Sequence, residues 1–222
     1  PRDSEAVLHS SNYNPSLNPL ISSTDPALGA TLDITGGWYD AGDYGKYILT
    51  AAPTINDLLF AYELFPSKFF DGQSNIPESG NDIPDLLDEV KYEMNLFSKM
   101  QAQDGGVFDR LASQSWLTSP YDTQQRFLVP KSTHDTAVYA AALAQAYRVF
   151  KGNAAFEARY PGYADTLLIK AKKAWDFLTA HPLPTPANGT VNNTIGINPG
   201  SGDYTDGANS NCPDGVSPPT CP

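Results

Sequence analysis

Long apolar runs are absent from this sequence. No stretch approaches the roughly 18 consecutive apolar residues that a membrane-spanning helix needs. Basic residues are scarce: 14 lysines and arginines stand against 25 aspartates and glutamates, for a formal charge of −11. Nucleic acids and anionic membranes both require a basic face, so neither is expected as a partner. Cysteine is nearly missing. Cys212 and Cys221 are the only two, and their short separation suits a local loop closed by a disulfide in an oxidising compartment. With no histidine near them, two thiols are too few ligands for zinc. No series of Val-, Ile- and Thr-rich alternating segments occurs, which argues against a β-sandwich or a parallel α/β sheet. The sequence opens at Pro1 with neither a methionine nor an apolar leader. Either a signal segment has been removed or this is a piece of something longer, and both fit a secreted protein. The sequons at Asn188 and Asn192 matter only if a eukaryotic host secretes the chain.

Apolar residues are plentiful, at 41% of the 222 residues, and four segments carry them at helical spacing. The first runs from Tyr47 to Tyr62. Pro53 falls inside it and predicts either a start near Ala52 or a kink. The second follows Asp82 as N-cap, Pro84 and Asp85 in the first turn, and ends near Asp104-Gly105-Gly106. The third opens at Ser132 or Thr133 and runs to Phe150, rich in alanines that let helix axes approach. The fourth runs from about Tyr163 to Ala180, with Leu167, Leu168, Ala171, Trp175 and Leu178 as its expected apolar stripe and Trp175 as core. Residues 1–35 read as a lead-in loop with turns at Asn14-Pro15, Asn18-Pro19 and Asp25-Pro26. Residues 107–131 read as a long loop with room for a short hairpin. Residues 181–222 form a Pro-, Gly- and Asn-rich tail that cannot make a core. The expected class is mainly α.

The densest chemistry sits at Gly36-Gly37-Trp38-Tyr39-Asp40-Ala41-Gly42-Asp43-Tyr44-Gly45-Lys46-Tyr47. Two carboxylates three residues apart are separated by small residues, so a tight turn can aim both into one space. Two close anions repel, and at least one needs a hydrogen bond, a cation or a shifted pKa. A carboxylate is a suitable base for a water attacking an acetal carbon. Inverting glycoside hydrolysis places a proton-donating acid on the opposite sugar face, about 6.5–9.5 Å from the base. Three-residue spacing is too close for those opposed roles, so Asp40 and Asp43 both belong to the base side. A calcium loop, or an Asx-turn pair serving backbone donors, accounts for the spacing alone equally well.

This stretch resembles the signature of glycoside hydrolase family 9, the inverting cellulases and related β-glucanases. The resemblance continues through Ile76-Pro77-Glu78-Ser79-Gly80, Ile83-Pro84-Asp85-Leu86-Leu87-Asp88-Glu89-Val90, Met100-Gln101 and Asp104-Gly105-Gly106-Val107. It resumes at Ser132-Thr133, at Ala140 to Ala146 and at Ala174 to Leu178, in family order. It implies part of a six-hairpin (α/α)6 toroid with an open cleft across one end. Asp43 matches the family's catalytic base and Asp40 the aspartate that helps hold the attacking water. The matching acid glutamate lies beyond residue 222, so 1–222 reads as the N-terminal portion of a catalytic domain, and the remaining portion is a partner in the same or a second chain. Asp109 stands where family members often carry a histidine. It either meets a cationic sugar or pairs with Arg110 at the surface. Trp116 is the open-loop candidate for sugar stacking, and Trp38 either stacks or braces the motif from beneath. Asp109, Arg110 and Trp116 are therefore the candidate substrate contacts. Leu8-His9 replaces a Cys-His half-site, which argues against zinc there. Ser201 to Asp206 resembles the opening of a family calcium loop, so a structural calcium is compatible with the resemblance, while the chemistry needs no cofactor. The implied function is hydrolysis of β-1,4-glucosidic bonds in a polysaccharide or oligosaccharide. The alternatives are an exo-acting glucosaminidase of the same family, a non-catalytic carbohydrate-binding fragment and a structural calcium-loop protein.

Overall fold

Four long helices form where the three-to-four spacing predicts them. The structure, a computed structural model, describes residues 5–7, 20–27, 29–41, 44–113 and 126–183. Helix α1 (Ile48–Leu64) buries Ile48, Ala52, Ile55 and Leu59. It begins four residues earlier than the Ala52 alternative, and Pro53 lies inside it. There the proline forfeits one backbone hydrogen bond without setting the helix start. Helix α2 (Asp85–Met100) buries Leu87, Val90, Met94, Phe97 and Met100. Helix α3 (Thr133–Gly152), the short α4 (Ala154–Arg159) and α5 (Tyr163–Ala180) complete the set.

The caps follow the sequence at α3 and depart from it at α2. Ser132 Oγ accepts the Asp135 N–H at 2.9 Å, as expected. Asp82 does not cap α2. Pro84 occupies the N-cap position with no side-chain bond, and Asp82 sits at φ 68 with its N–H donated to Asp71. Asp85 performs the more demanding task. Buried at the start of α2, its carboxylate accepts the Gly72 and Ser74 N–H groups at 2.8 and 2.6 Å and the Ser79 hydroxyl at 3.1 Å. A buried carboxylate needs such donors, and here they order the loop before α2.

Helix α3 is central, packed on α1 and α5 and touching α2. Ala142 and Ala146 on α3 and Ala164 and Ala174 on α5 are fully buried, so the close approach that small side chains permit is used on both helices. The buried face of α5 is Ala164, Leu167, Ala171, Ala174 and Phe177. Trp175 is not core; it is 67% exposed. It lies one residue, about 100° of turn, beyond Ala174, so the expected stripe shares Leu167 and Ala171 with the true contact face and leaves it at Trp175.

Short strands gather where α1 and α3 begin. A five-stranded sheet has the order β2-β1-β6-β5-β3, built from Glu5–Val7 (β1), Thr31–Asp33 (β2), Lys46–Tyr47 (β3), Arg110–Ser113 (β5) and Arg126–Leu128 (β6). Only β1 and β6 run parallel. Val107–Phe108 (β4) pairs with Lys131–Ser132 (β7) in a separate ladder. The 107–131 segment thus contains the short hairpin, β5 with β6, and residues 114–125 lie outside the described residues. The lead-in segment is more than a solvated loop. It supplies two strands and the buried Leu20 and Ile34. Asp25 accepts the ammonium of buried Lys131 at 2.8 Å. β3 runs directly into α1 and β7 into α3, which sets the motif loop at that end of the helices.

Ala174→Leu is expected to overpack the α3–α5 contact and destabilise the fold by about 1–3 kcal/mol. Urea unfolding with an unchanged slope and a lower midpoint checks this. An unshifted midpoint would show that α5 does not press on α3 here.

Candidate active site

The loop from Gly36 to Tyr47 has little regular backbone pairing of its own. Gly36 and Gly37 lie at φ 83 and 70, a left-handed pair that only glycine adopts cheaply. Within the loop, the Asp40 N–H donates to Gly45 O at 2.8 Å. The remaining groups are served from outside. Lys46, buried at the end of the loop, donates to Ile34 O at 3.0 Å and Gly36 O at 2.5 Å. Its ammonium also lies 5.1 Å from the Tyr39 ring centroid. The Arg126 guanidinium donates to Tyr44 O. Helix α2 supplies two carboxylates. Glu93 accepts the Trp38 backbone N–H at 2.5 Å, and Glu89 accepts the Trp38 indole N–H at 2.6 Å.

Asp40 is exposed and points into a cavity of about 270 Å³ lined by Trp38, Tyr39, Tyr47, Thr50, Ala51 and Thr54. The Thr50 hydroxyl, in the first turn of α1, donates to Asp40 Oδ1 at 2.5 Å. That bond holds one carboxylate oxygen. Tyr39 and Tyr44 meet edge to face at 5.0 Å beside it. The site therefore offers an anchored carboxylate with flanking aromatic rings, a surface matched to a sugar's hydroxyl rim and apolar face.

The sequence candidates divide. Asp40 lines the cavity. Asp43 and Trp116 lie outside the described residues, as do His9, Cys212, Cys221, both sequons and the 201–206 loop. Trp38 braces the loop through its bonds to Glu93 and Glu89, and it also lines the cavity. Asp109 and Arg110 do pair, at 2.7 Å, but not at the surface: they are 5% and 1% exposed. Arg110 opens β5, and Asp109 lies between β4 and β5. The Asp109 carbonyl accepts the Ile48 N–H at 3.2 Å, and Arg110 lies 5.9 Å from the Tyr47 ring centroid. Burial and the nearby Asp109 carboxylate push Asp135 well above the usual carboxylate range.

Glu89 and Glu93 are not among the sequence candidates. A signal was available. Leu86, Val90, Glu93, Phe97 and Met100 recur at spacings of four and three, so Glu93 falls on the apolar stripe itself. A charge at such a position needs a partner.

The sequence matches the family model described as Glycosyl hydrolase family 9 over residues 5–211. The chain belongs to glycosyl hydrolase family 9. A xyloglucan-specific endo-beta-1,4-glucanase of Bacteroides ovatus is 38% identical over 170 residues, covering 75% of this chain and 28% of that protein. A cellulose 1,4-beta-cellobiosidase of Acetivibrio thermocellus is 35% identical over 198 residues, 79% of this chain and 21% of the relative. Among solved structures, a Bacteroides ovatus GH9 protein superposes with a TM-score of 0.75 at 34% identity, over 87% of this chain and 34% of that one. A metagenome-derived family 9 endoglucanase superposes with a TM-score of 0.66 at 41% identity, over 80% of this chain and 30% of its own. The chain thus spans less than a third of the length of the curated relatives named here.

Glu93 carries a pH signature. Burial raises its carboxyl to about 7, against the opposing pull of the Trp38 N–H and Lys46. The unfolded carboxyl titrates near 4.5. Between those values the folded chain binds a proton that the unfolded chain has lost, so stability falls as pH rises from about 4.5 to about 7. The full cost is about 3 kcal/mol. Glu93→Gln keeps an acceptor for Trp38 and is expected to flatten this slope. Unfolding free energies at pH 5 and pH 8 measure it, and an equal slope in both proteins would remove Glu93 as its source.

Proposed function

We propose that this chain builds the base side of a site that hydrolyses β-1,4-glucans by inverting single displacement. Family membership together with Asp40 anchored in an aromatic-walled cavity carries the reading. Asp43 acts as the base. It draws a proton from water as the water's oxygen attacks the anomeric carbon, and the glycosidic bond breaks on the opposite face. Asp40, fixed by Thr50, orients that water. The leaving oxygen takes its proton from an acid outside this chain. Among the described residues, Glu63 pairs with Arg148, Glu157 with Lys151, and Glu89 and Glu93 with Trp38. None of them lines the Asp40 cavity.

The two relatives described above are named for xyloglucan, cellulose and cellobiose-releasing activities, which supports a β-1,4-glucan backbone as the substrate class. The cationic-sugar alternative loses its support, because the Asp109 carboxylate is buried against Arg110. The rest of a six-hairpin toroid would cover Phe60, Leu64, Phe65 and Trp175, each more than half exposed here. A secreted location suits a polymeric substrate.

In the protein made from the full reading frame, Asp43→Asn is expected to lower kcat on a soluble β-1,4-glucan by about 10²–10⁴-fold with little change in KM. The first product sugar should appear as the α-anomer by NMR. A β-anomer, or an Asp43→Asn enzyme of near-normal kcat, would overturn the assignment.

A further inference from the structure

Two carboxylates that the proposed reaction does not use reach the cavity wall from beneath. Glu89 and Glu93 are four residues apart, so both project from one face of α2. Between them they accept both N–H groups of a single residue, Trp38, at 2.6 and 2.5 Å. Bonds from N–H to an ionised carboxylate are about twice as strong as neutral ones. Simple satisfaction of donors does not explain the pair. Trp38 is only half-buried, and an indole N–H in that setting is well served by water. Burying Glu93, at 1% exposure, is costly unless the contact does something more.

The loop is also pressed onto α2 with no room to slide. A Cβ on Gly37 would meet Leu96 Cβ at 2.5 Å and Glu93 Oε2 at 2.8 Å. On the other side, Lys46 grips the carbonyls of Ile34 and Gly36, the latter just before Gly37. Trp38 is therefore held by its backbone and by its ring edge, and it lines the cavity two residues from Asp40. An indole whose N–H is committed to Glu89 offers a ligand its face and not its polar edge.

We propose that Glu89 and Glu93 are positioning residues: they clamp Trp38 so that its indole face forms a fixed stacking wall for a sugar ring beside Asp40. The stacking part rests on the glucan reading of the cavity, whereas the clamp does not.

The test is a mutant cycle in the protein made from the full reading frame. Glu89→Met removes the acceptor at similar volume, Glu89→Gln retains an acceptor oxygen, and Trp38→Phe removes the donor but keeps a ring. Glu89→Met is expected to raise KM for a soluble cello-oligosaccharide about threefold to tenfold, the value of one lost hydrogen bond. kcat should change less, and Glu89→Gln should restore KM. In a Trp38→Phe background, Glu89→Met should add nothing. An equal penalty with and without the indole overturns the proposal, and so does a fall in kcat at constant KM. Glu89 is half-buried, so these changes leave no core cavity, and Glu89→Ser replaces Glu89→Met if the latter aggregates.

A second readout needs no substrate. With 5-fluorotryptophan incorporated, the Trp38 resonance is identified by its loss in Trp38→Phe. It should shift and broaden in Glu89→Met and recover in Glu89→Gln. An unmoved line overturns the clamp. If the line responds but no variant binds or cleaves a glucan, the clamp stands and the glucan reading, with its stacking wall, falls.

Discussion

A buried charge must be met by opposite charge or by hydrogen bonds, and the motif loop is held by two such obligations at once. Lys46 is buried and spends its donors on the carbonyls of Ile34 and Gly36. Glu93 is buried and accepts the N–H of Trp38. Glycine-rich backbone has little conformational preference of its own, and ordering it costs more entropy than ordering other residues. Here side chains from β3, β6 and α2 supply what a ladder or a helix would otherwise provide. The ammonium and the carboxylate also attract one another, so each lowers the cost of burying the other. Losing either would leave the other charge buried with less compensation, and the loop would lose its shape before the core lost its packing.

The helices were legible because each buries a face that repeats every three to four residues, and that repeat is visible without a structure. The errors have equally local causes. Trp175 was misplaced because it repeats correctly with Leu168, Ala171 and Leu178, although of these only Ala171 is on the face that packs. Hydrophobicity alone favours the larger residues. The packing instead selects the alanines, because α3 and α5 approach too closely for a tryptophan. Asp82 was read as a cap from spacing, but a proline one residue before the helix and a buried Asp85 changed where the chain turns. The strands were missed as a sheet because two- to four-residue strands carry no readable alternation.

The candidate site was legible only in part. Asp40 announced itself through neighbours that have no good structural excuse. Its Thr50 partner did not, since a threonine in a first helical turn is unremarkable until its hydroxyl is seen on a carboxylate. Asp109 and Arg110 show the opposite failure. Adjacent opposite charges suggest a solvated pair, yet strand pairing of Arg110 with Tyr47 and of Leu111 with Lys46 draws both side chains beneath the motif. Sequence adjacency reported the pairing correctly and said nothing about depth.

Core packing and site geometry are mechanically one problem in this chain. Helix α1 turns Ile48, Ala52 and Ile55 into the core while Thr50, between them, holds Asp40. Helix α2 turns Val90, Met94 and Phe97 into the same core while Glu89 and Glu93 hold Trp38. One helix thus fixes the carboxylate and the other fixes the aromatic wall, and a shift between α1 and α2 would alter their separation directly. Close-packed interiors resist such shifts, because few voids exist to accommodate them. The precision of the site is therefore inherited from the apolar contact between the two helices rather than from any stiffness of the loop, which by composition has little.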